Sequence, residues 1–193
     1  MLDRKYLSEV RKQVATYEAA RREVIKTSGD ALSASKRAIF ALHRDDTAAA
    51  ESLLAEAGSG LAAIVKAVGS QLDVSAEGSF RAALEEFVEA QLYRRYLATG
   101  EVGRIETENV DYEIYLSGLS DLTGELQRRQ VRLATEGKLD EVKRIKELME
   151  AIVAELLDMD LGGYLRNKFD QAKNNLRRAE EVLYELSLRS KQL

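Results

Sequence analysis

Two pairs of acidic residues stand at helical spacing and could bind a metal ion. Glu86 and Glu89 are three residues apart, and Asp121 and Glu125 are four apart, so each pair lies on one face of its helix. If the two faces pack together, three or four carboxylates converge, and hard oxygen ligands of this kind select Mg²⁺ or Mn²⁺. Such an ion lowers the pKa of a bound water and neutralises charge on a phosphate, which suits phosphodiester hydrolysis.

A second interpretation of these pairs is structural. The chain has 33 acidic residues, most of them in helical stretches, so acidic pairs at this spacing also arise by chance. They would then lie on solvated helix faces and form local ion pairs. Spacing alone leaves both interpretations open.

Two arginines extend the second acidic face. Arg128 and Arg132 follow Asp121 and Glu125 on the same side of one helix, where guanidiniums could hold the phosphates that flank a cleaved bond. The formal net charge of the chain is −4. RNA could therefore not be gripped across the whole surface, and the positive charge must be gathered into one stripe or cavity.

One histidine and two tyrosines are further candidates. His43 is the only histidine; it could act as an accessory general base, or it could be a hydrogen-bonded residue near a helix end. Tyr93 and Tyr96 share a side of their helix with the first acidic pair. They could stack on a base or line a contact between subunits.

The elements that must position these residues are helices. Proline is absent, which permits long helices, and apolar residues recur at helical spacing almost everywhere. We predict an all-α fold, a single domain over residues 1–193 that forms an antiparallel bundle of about six or seven helices. At Thr27–Asp30 either one helix bends or two helices meet. The predicted helical stretches are Leu2–His43, a second that runs through Leu53 to Val68 and that Asp46 or Thr47 could cap, Ala76–Leu97, Val110–Ala134, Leu139–Leu157 and Tyr164–Leu188. Gly58 and Gly60 indicate a close helix contact or an interruption, and Glu101–Glu108 is the least regular segment.

Composition limits the compartment and the type of site. Cysteine is absent, so neither a disulfide nor a thiolate metal site can form. The charged N-terminus lacks the apolar core of a signal peptide, and no run of 18 apolar residues occurs, so we predict a cytoplasmic protein without a membrane segment. The last helix carries tyrosines and leucines near its end, which could seal an oligomer interface or belong to a monomer core.

Four collinear blocks resemble the family of translin and translin-associated factor X (Trax). The most specific piece is Asp121-Leu-Thr-Gly-Glu-Leu126, and the likeness extends from about residue 20 to residue 189. The four blocks are Ser28–Arg44, Arg81–Ala90, Val110–Leu126 and Val182–Arg189. The resemblance implies a helical bundle that assembles into a hollow octamer and encloses RNA.

The resemblance also implies roles for the acidic and basic residues. Trax-type chains keep acids at both helices and are Mg²⁺-dependent endoribonucleases, and this chain has acids at the matching positions. Glu86, Glu89 and Asp121 are then expected to bind Mg²⁺ or Mn²⁺, and Glu125 to be a ligand or a water-orienting base. The residues expected to contact RNA, each in or beside a matching block, are Lys36, Arg37, Arg81, Arg128 and Arg132.

The function expected from the resemblance is metal-dependent cleavage of single-stranded RNA inside a closed homo-oligomer, with an octamer as the family expectation and single-stranded DNA as a further ligand. The insertion that animal Trax carries is absent here, because Glu101–Glu108 is short. Two alternatives remain: a single-stranded RNA- or DNA-binding protein without catalysis, as in translin itself, and a plain helical scaffold.

Overall fold

The computed structural model describes residues 2–68, 73–107 and 109–190, and its regular structure within these ranges is entirely helical. This confirms the predicted all-α class and most of the predicted helix ends. The described ranges contain a short 3₁₀ helix, Val74–Ala76, and six α-helices: α1 (Arg4–His43), α2 (Thr47–Val68), α3 (Gly78–Thr99), α4 (Tyr112–Thr135), α5 (Leu139–Asp158) and α6 (Gly163–Ser190).

The chain divides into two compact units, and the boundary falls inside α3. Unit 1 is Met1–Phe87 and unit 2 is Val88–Leu193. Unit 1 therefore holds α1, α2 and the first half of α3, whereas unit 2 holds the second half of α3 with α4, α5 and α6. That residues 1–193 act as a single domain stays a prediction.

Unit 1 is built on a helical hairpin. α1 packs along α2, and the connection between them is three residues long, which makes the two helices antiparallel. The carboxylate of Asp46 accepts a hydrogen bond from the Ala49 backbone N–H at 3.1 Å and caps α2, as predicted. An ideal Cβ on Gly58 would lie 3.3 Å from the Phe87 ring, so this glycine allows the close helix contact that its sequence position suggested.

α1 is one continuous helix through Thr27–Asp30. Gly29 faces open space, since nothing lies within 4 Å of an ideal Cβ there, and Ser28 beside it is fully buried. The first residue of α1 that is buried is Val24. The preceding five turns are therefore largely exposed within the described chain, although they carry several apolar side chains.

One stretch of α2, Thr47–Ala67, is long and apolar enough to cross a membrane by length and composition alone; only the described residues bear on this. Its Leu54, Leu61 and Ile64 are buried in unit 1. A core helix of a water-soluble protein meets the same criterion, so the absence of a membrane segment stays a prediction.

Unit 2 is a three-helix arrangement extended by the second half of α3. α4, α5 and α6 pack against one another in all three pairs. The α5 stripe of Val142, Ile145 and Met149 is fully buried, as expected for an amphipathic helix. Gln130 of α4 is also fully buried, and its amide N–H groups reach the Val142 carbonyl of α5 and the Ala179 carbonyl of α6 at 3.2 and 3.3 Å. This side chain ties the three helices together.

The connection between α3 and α4 is irregular, as predicted. α3 ends at Thr99, and Gly100 follows with φ +76°, a conformation that favours glycine. The Tyr115 hydroxyl of α4 donates to the Gly103 carbonyl at 3.1 Å and holds this segment against unit 2. Asp111 caps α4 by accepting from the Ile114 N–H at 2.8 Å. Glu108, the last residue of the predicted irregular segment, lies outside the described residues.

Candidate functional site

The two acids of α3 lie one turn apart but have different surroundings. In unit 1, Oε2 of Glu86 lies 3.8 Å from Nζ of Lys36, and the Glu86 side chain is 20 % exposed. A predicted metal ligand and a predicted RNA contact therefore form an ion pair. The distance is longer than a hydrogen bond, so the pair can open at modest cost.

Glu89 belongs to unit 2 and is only 8 % exposed. A glycine of α4 lies directly against this part of α3: an ideal Cβ on Gly118 would be 2.7 Å from Cγ1 of Val88 and 3.0 Å from the Glu89 backbone nitrogen. Glycine is required here because any larger residue would separate the helices. The contact brings the segment that carries Glu89 beside the segment of α4 that precedes Asp121 by one turn.

Asp121 is paired with a lysine of α6. Nζ of Lys168 donates to Oδ2 of Asp121 at 2.5 Å, and both side chains are mostly buried. Burial by itself would lower the pKa of Lys168, but the hydrogen bond and charge of Asp121, helped by Tyr164, raise it above the usual value for lysine. Lys168 is therefore a cation at neutral pH, and it neutralises a carboxylate that we expected to bind metal.

The remaining charged residues of the α4 face form local ion pairs. Oε2 of Glu125 lies 3.9 Å from the guanidinium of Arg128. Nε of Arg132 donates to Glu136 at 2.9 Å, and Glu136 also pairs with Lys138 at 2.9 Å. These contacts agree with the structural interpretation of the pattern.

The donor chemistry of the four acids suits Mg²⁺ or Mn²⁺, because all are carboxylates and no thiol competes. Their present arrangement is a different matter. Within residues 2–68, 73–107 and 109–190, no group of three or more histidine, aspartate or glutamate side chains is gathered closely enough to hold a metal ion. The residue types fit the ion, and the described geometry holds Asp121 and Glu86 against lysines instead.

The other predicted site residues lie on several elements. Arg37 is exposed on α1, and Arg81 is half-exposed on the first turn of α3. His43 is buried as the last residue of α1, which favours the interpretation as a residue at a helix end; its accessory role in catalysis stays a prediction. Tyr93 is completely buried. The prediction that it stacks on a base or lines a subunit contact is wrong, because the side chain belongs to the core of unit 2.

Two residues of the candidate site were not foreseen. Gly118 stands inside the most specific matching block, but its role depends on the distance between two helices, which spacing along one helix does not reveal. Lys168 is 47 residues from Asp121 along the chain. A lysine on an amphipathic helix has no sequence signal that distinguishes it from a solvated one.

Comparison with known proteins agrees with this fold. The model of the Translin family matches residues 19–190. Translin of Gallus gallus is 29 % identical over 116 residues, which are 57 % of this chain and 51 % of the chicken protein, so the match spans about half of that relative.

Three solved structures share the fold over 95 % of this chain and 97 % of their own. The crystal structure of apo-NeC3PO has a TM-score of 0.84 at 23 % identity, which supports the fold alone. The crystal structure of AfC3PO has a TM-score of 0.84 at 28 % identity, and the complex of AfC3PO with duplex RNA has 0.82 at 27 %. Because the family match extends over nearly the whole chain, this protein belongs to the Translin family.

Proposed function

We propose that the protein binds RNA and cleaves single-stranded RNA as a metal-dependent endoribonuclease. The observation that carries the proposal is the contact of α3 with α4 at Gly118, which sets the Glu89 segment beside the turn that leads to Asp121. A backbone contact this close needs a glycine and leaves two carboxylate-bearing segments adjacent in a largely buried region. Burying a carboxylate costs free energy, which is why such residues often serve a function.

Glu86, Glu89 and Asp121 would hold the ion, Mg²⁺ or Mn²⁺, and when bound it would supply a water of lowered pKa and offset charge on the scissile phosphate. Glu125 would accept a proton from the attacking water as its oxygen bonds to phosphorus; the bond from phosphorus to the ribose oxygen would break, and that oxygen would take a proton from solvent. Arg128 and Lys36 pair with flanking phosphates, with Arg37, Arg81 and Arg132 extending this contact. The ion pairs of Lys36 with Glu86 and of Arg128 with Glu125 are 3.8 and 3.9 Å long, so both can exchange for a phosphate.

RNA as the ligand is supported by the relatives. One of the similar structures is AfC3PO in complex with duplex RNA, and the chain shares 27 % of its sequence with that protein. We extend this to single-stranded RNA, and to single-stranded DNA as a weaker ligand, because unpaired strands expose the phosphates and bases that an acidic protein must reach through one basic region.

Assembly into a closed homo-oligomer, an octamer by family expectation, is the second part of the proposal. The first half of α1 carries Tyr6, Val14 and Tyr17, which are 63 %, 55 % and 43 % exposed. Tyr184 and Leu188 near the end of α6 are 65 % and 45 % exposed. Exposed apolar side chains grouped on helices are typical of surfaces that bind another protein chain.

A binder without catalysis is the second candidate, and one observation favours it. Lys168 already neutralises Asp121 at hydrogen-bond distance. A carboxylate that is already paired with an ammonium binds a divalent ion more weakly than an unpaired carboxylate does. In that case the acids have a structural role, and the basic residues alone contact the RNA.

Cleavage of a labelled single-stranded oligoribonucleotide, with Mg²⁺ or with EDTA, separates the two candidates. Glu89→Gln and Asp121→Asn remove one negative charge each and keep the side-chain shape. We expect both to abolish cleavage while RNA binding persists. Glu180→Gln, an exposed change on α6, is the matched control and should cleave normally. Full activity of Glu89→Gln would refute the proposed role of the acids.

Metal binding is measured separately from activity by titrating the protein with Mn²⁺ and following the free ion by electron paramagnetic resonance. The unaltered protein should remove free Mn²⁺ from solution, and Glu89→Gln and Asp121→Asn should bind it at least tenfold more weakly, in the range that loss of a charged ligand produces. Equal Mn²⁺ binding by the unaltered protein, Glu89→Gln and Asp121→Asn would contradict the proposed ligands.

A further inference from the structure

A cavity lined by three arginines lies at the C-terminal end of α3, entirely within unit 2. Its volume is about 480 Å³, and none of its lining residues belongs to the predicted acidic site. The walls come from the last three turns of α3 and from the irregular segment that follows it. The polar lining includes Gln91, Arg94, Arg95, Thr99, Arg104 and Thr107.

Arg95 is the central side chain of this cavity. One terminal nitrogen reaches the Arg104 carbonyl at 3.5 Å, and the other lies 3.7 Å from Oε2 of Glu101; both distances are at or beyond the limit of a good hydrogen bond. Its Nε is buried and has no hydrogen-bond partner among the described residues. The Arg95 side chain as a whole is 42 % exposed, so terminal N–H groups that make only these long contacts can donate to an acceptor on a ligand.

The backbone of the irregular segment is shaped around this guanidinium. An ideal Cβ on Gly103 would lie 3.9 Å from two guanidinium nitrogens of Arg95, so the planar group lies against the glycine. The Tyr115 hydroxyl fixes the same glycine through its carbonyl. The Thr99 hydroxyl donates to the Arg95 carbonyl and accepts from the Glu101 N–H. The wall that carries Arg95 and Arg104 is therefore held in place before any ligand arrives.

The charge balance of the cavity favours an anion. Three arginines and one glutamate, Glu106, line the cavity; Nε of Arg94 also donates to Oε1 of Gln91 at 3.1 Å, and Glu101 lies 3.7 Å from Arg95. Guanidinium groups bind phosphate through paired N–H donors, and a phosphate monoester carries about −1.5 to −2 charges at neutral pH. A monoester dianion matches several arginines better than the single charge of a carboxylate or of an internal phosphodiester.

We propose that this cavity binds a terminal phosphate, the monoester group of a nucleotide or of an RNA end. Its volume also accommodates a nucleoside attached to the phosphate, and Ile105 and Ala98 provide apolar wall for it. The preference for a nucleotide over other phosphate esters rests on the proposed function. The affinity for the phosphate group itself does not, because it depends on the arginines alone.

Isothermal titration calorimetry with adenosine monophosphate, inorganic phosphate and adenosine tests the proposal on the full chain. We expect adenosine monophosphate to bind, inorganic phosphate to bind more weakly and adenosine to give no signal. Arg94→Gln with Arg104→Gln should weaken the binding of adenosine monophosphate at least tenfold, as loss of charge-assisted hydrogen bonds does. Arg104→Gln alone, in an exposed segment, serves if the double variant does not fold. Arg178→Gln on the exposed side of α6 is the charge-matched control and should bind normally.

A pair of oligoribonucleotides of equal sequence, with and without a 5′-phosphate, tests the link to RNA. The phosphorylated strand should bind more tightly, and Arg104→Gln should remove that difference. Equal binding of adenosine and adenosine monophosphate, or no effect of the arginine changes, would overturn the proposal. If adenosine monophosphate binds and neither oligoribonucleotide does, the cavity is upheld and the proposed RNA function fails. If inorganic phosphate binds as tightly as adenosine monophosphate, the nucleotide preference is refuted.

Discussion

Replacement of Gly118 by alanine tests the helix contact on which the candidate site depends. The new Cβ would lie 2.7 Å from Cγ1 of Val88 and 3.0 Å from the Glu89 backbone nitrogen. Non-bonded contacts of this kind are favourable at about 3.5 Å, so α3 and α4 must separate by roughly 0.5–0.8 Å. A β-branched valine in a helix has one preferred rotamer, and a backbone nitrogen moves only with its helix, so neither neighbour yields easily.

The expected magnitude is the difference between two opposing effects. Overpacking of a closely packed core costs about 1–3 kcal/mol. Alanine in place of glycine within a helix stabilises the folded state by about 0.5–1 kcal/mol, because the unfolded chain has less backbone entropy to lose. The difference spans about 0–2.5 kcal/mol, and because the 2.7 Å contact meets a neighbour that yields little, Gly118→Ala should lower the free energy of unfolding by about 1–2 kcal/mol. A shift of this size between the two helices should also reduce RNA cleavage by about tenfold or more, although every carboxylate is retained.

Urea unfolding followed by circular dichroism gives the free energy, and Gly29→Ala is the matched control. Nothing lies within 4 Å of an ideal Cβ at Gly29, in the middle of α1. That variant should be stabilised by about 0.5–1 kcal/mol, so the two glycines should respond with opposite sign. A Gly118→Ala protein that is as stable as the parent, with normal cleavage, would show that the contact neither holds α3 to α4 nor positions Glu89.

Three further outcomes are expected. Burial raises the pKa of the Tyr115 phenol, with Arg95 opposing it, so the stability that its protonated form contributes is complete below about pH 10 and is lost as the pH rises through the folded value. In Tyr115→Phe the free energy of unfolding should fall less steeply above that pH. It should also be about 1 kcal/mol lower at pH 7, because the hydrogen bond is lost. An unchanged slope of the free energy of unfolding against pH in the alkaline range would contradict this. Removal of residues 2–18 should leave the helices folded, because burial in α1 begins at Val24. It should lower the number of subunits per assembly, calculated from the mass measured by light scattering; an unchanged number of subunits would exclude this surface from the assembly. Lys168→Met should raise Mn²⁺ affinity in the electron paramagnetic resonance titration, because it removes the ammonium that competes with the ion for Asp121; unchanged affinity would argue against Asp121 as a ligand.

The sequence was sufficient for the helices because their signals are local. The glycine after Thr99, the aspartates before α2 and α4 and the apolar stripes act within one or two turns, and the helix ends lie within two or three residues of their predicted positions for α3 to α6. Thr27–Asp30 was ambiguous for a physical reason. Glycine weakens a helix by only about 1 kcal/mol, and packing of Ser28 and its buried neighbours in unit 1 is enough to keep α1 continuous.

The candidate site was harder to foresee because it depends on contacts between helices. Spacing places Glu86 and Glu89 on one face of α3, but it does not reveal that one pairs with Lys36 while the other is buried beside Gly118. Tyr93 shows the same limit. It shares a side of α3 with these acids, yet it is completely buried because a helix surrounded by neighbours buries more than one face.

The pairing of Asp121 with Lys168 bears on both candidate functions, because each depends on which cation neutralises Asp121. A mostly buried carboxylate must be neutralised, and either an ammonium or a divalent ion can do this. In the described structure Lys168 supplies the neutralising charge for Asp121. A metal ion that binds here must displace the ammonium, which then lies beside the site and is free to pair with the phosphate that arrives with the RNA. On this reasoning the lysine would weaken metal binding at Asp121 without excluding it, and a phosphate that pairs with the displaced ammonium would offset part of that cost.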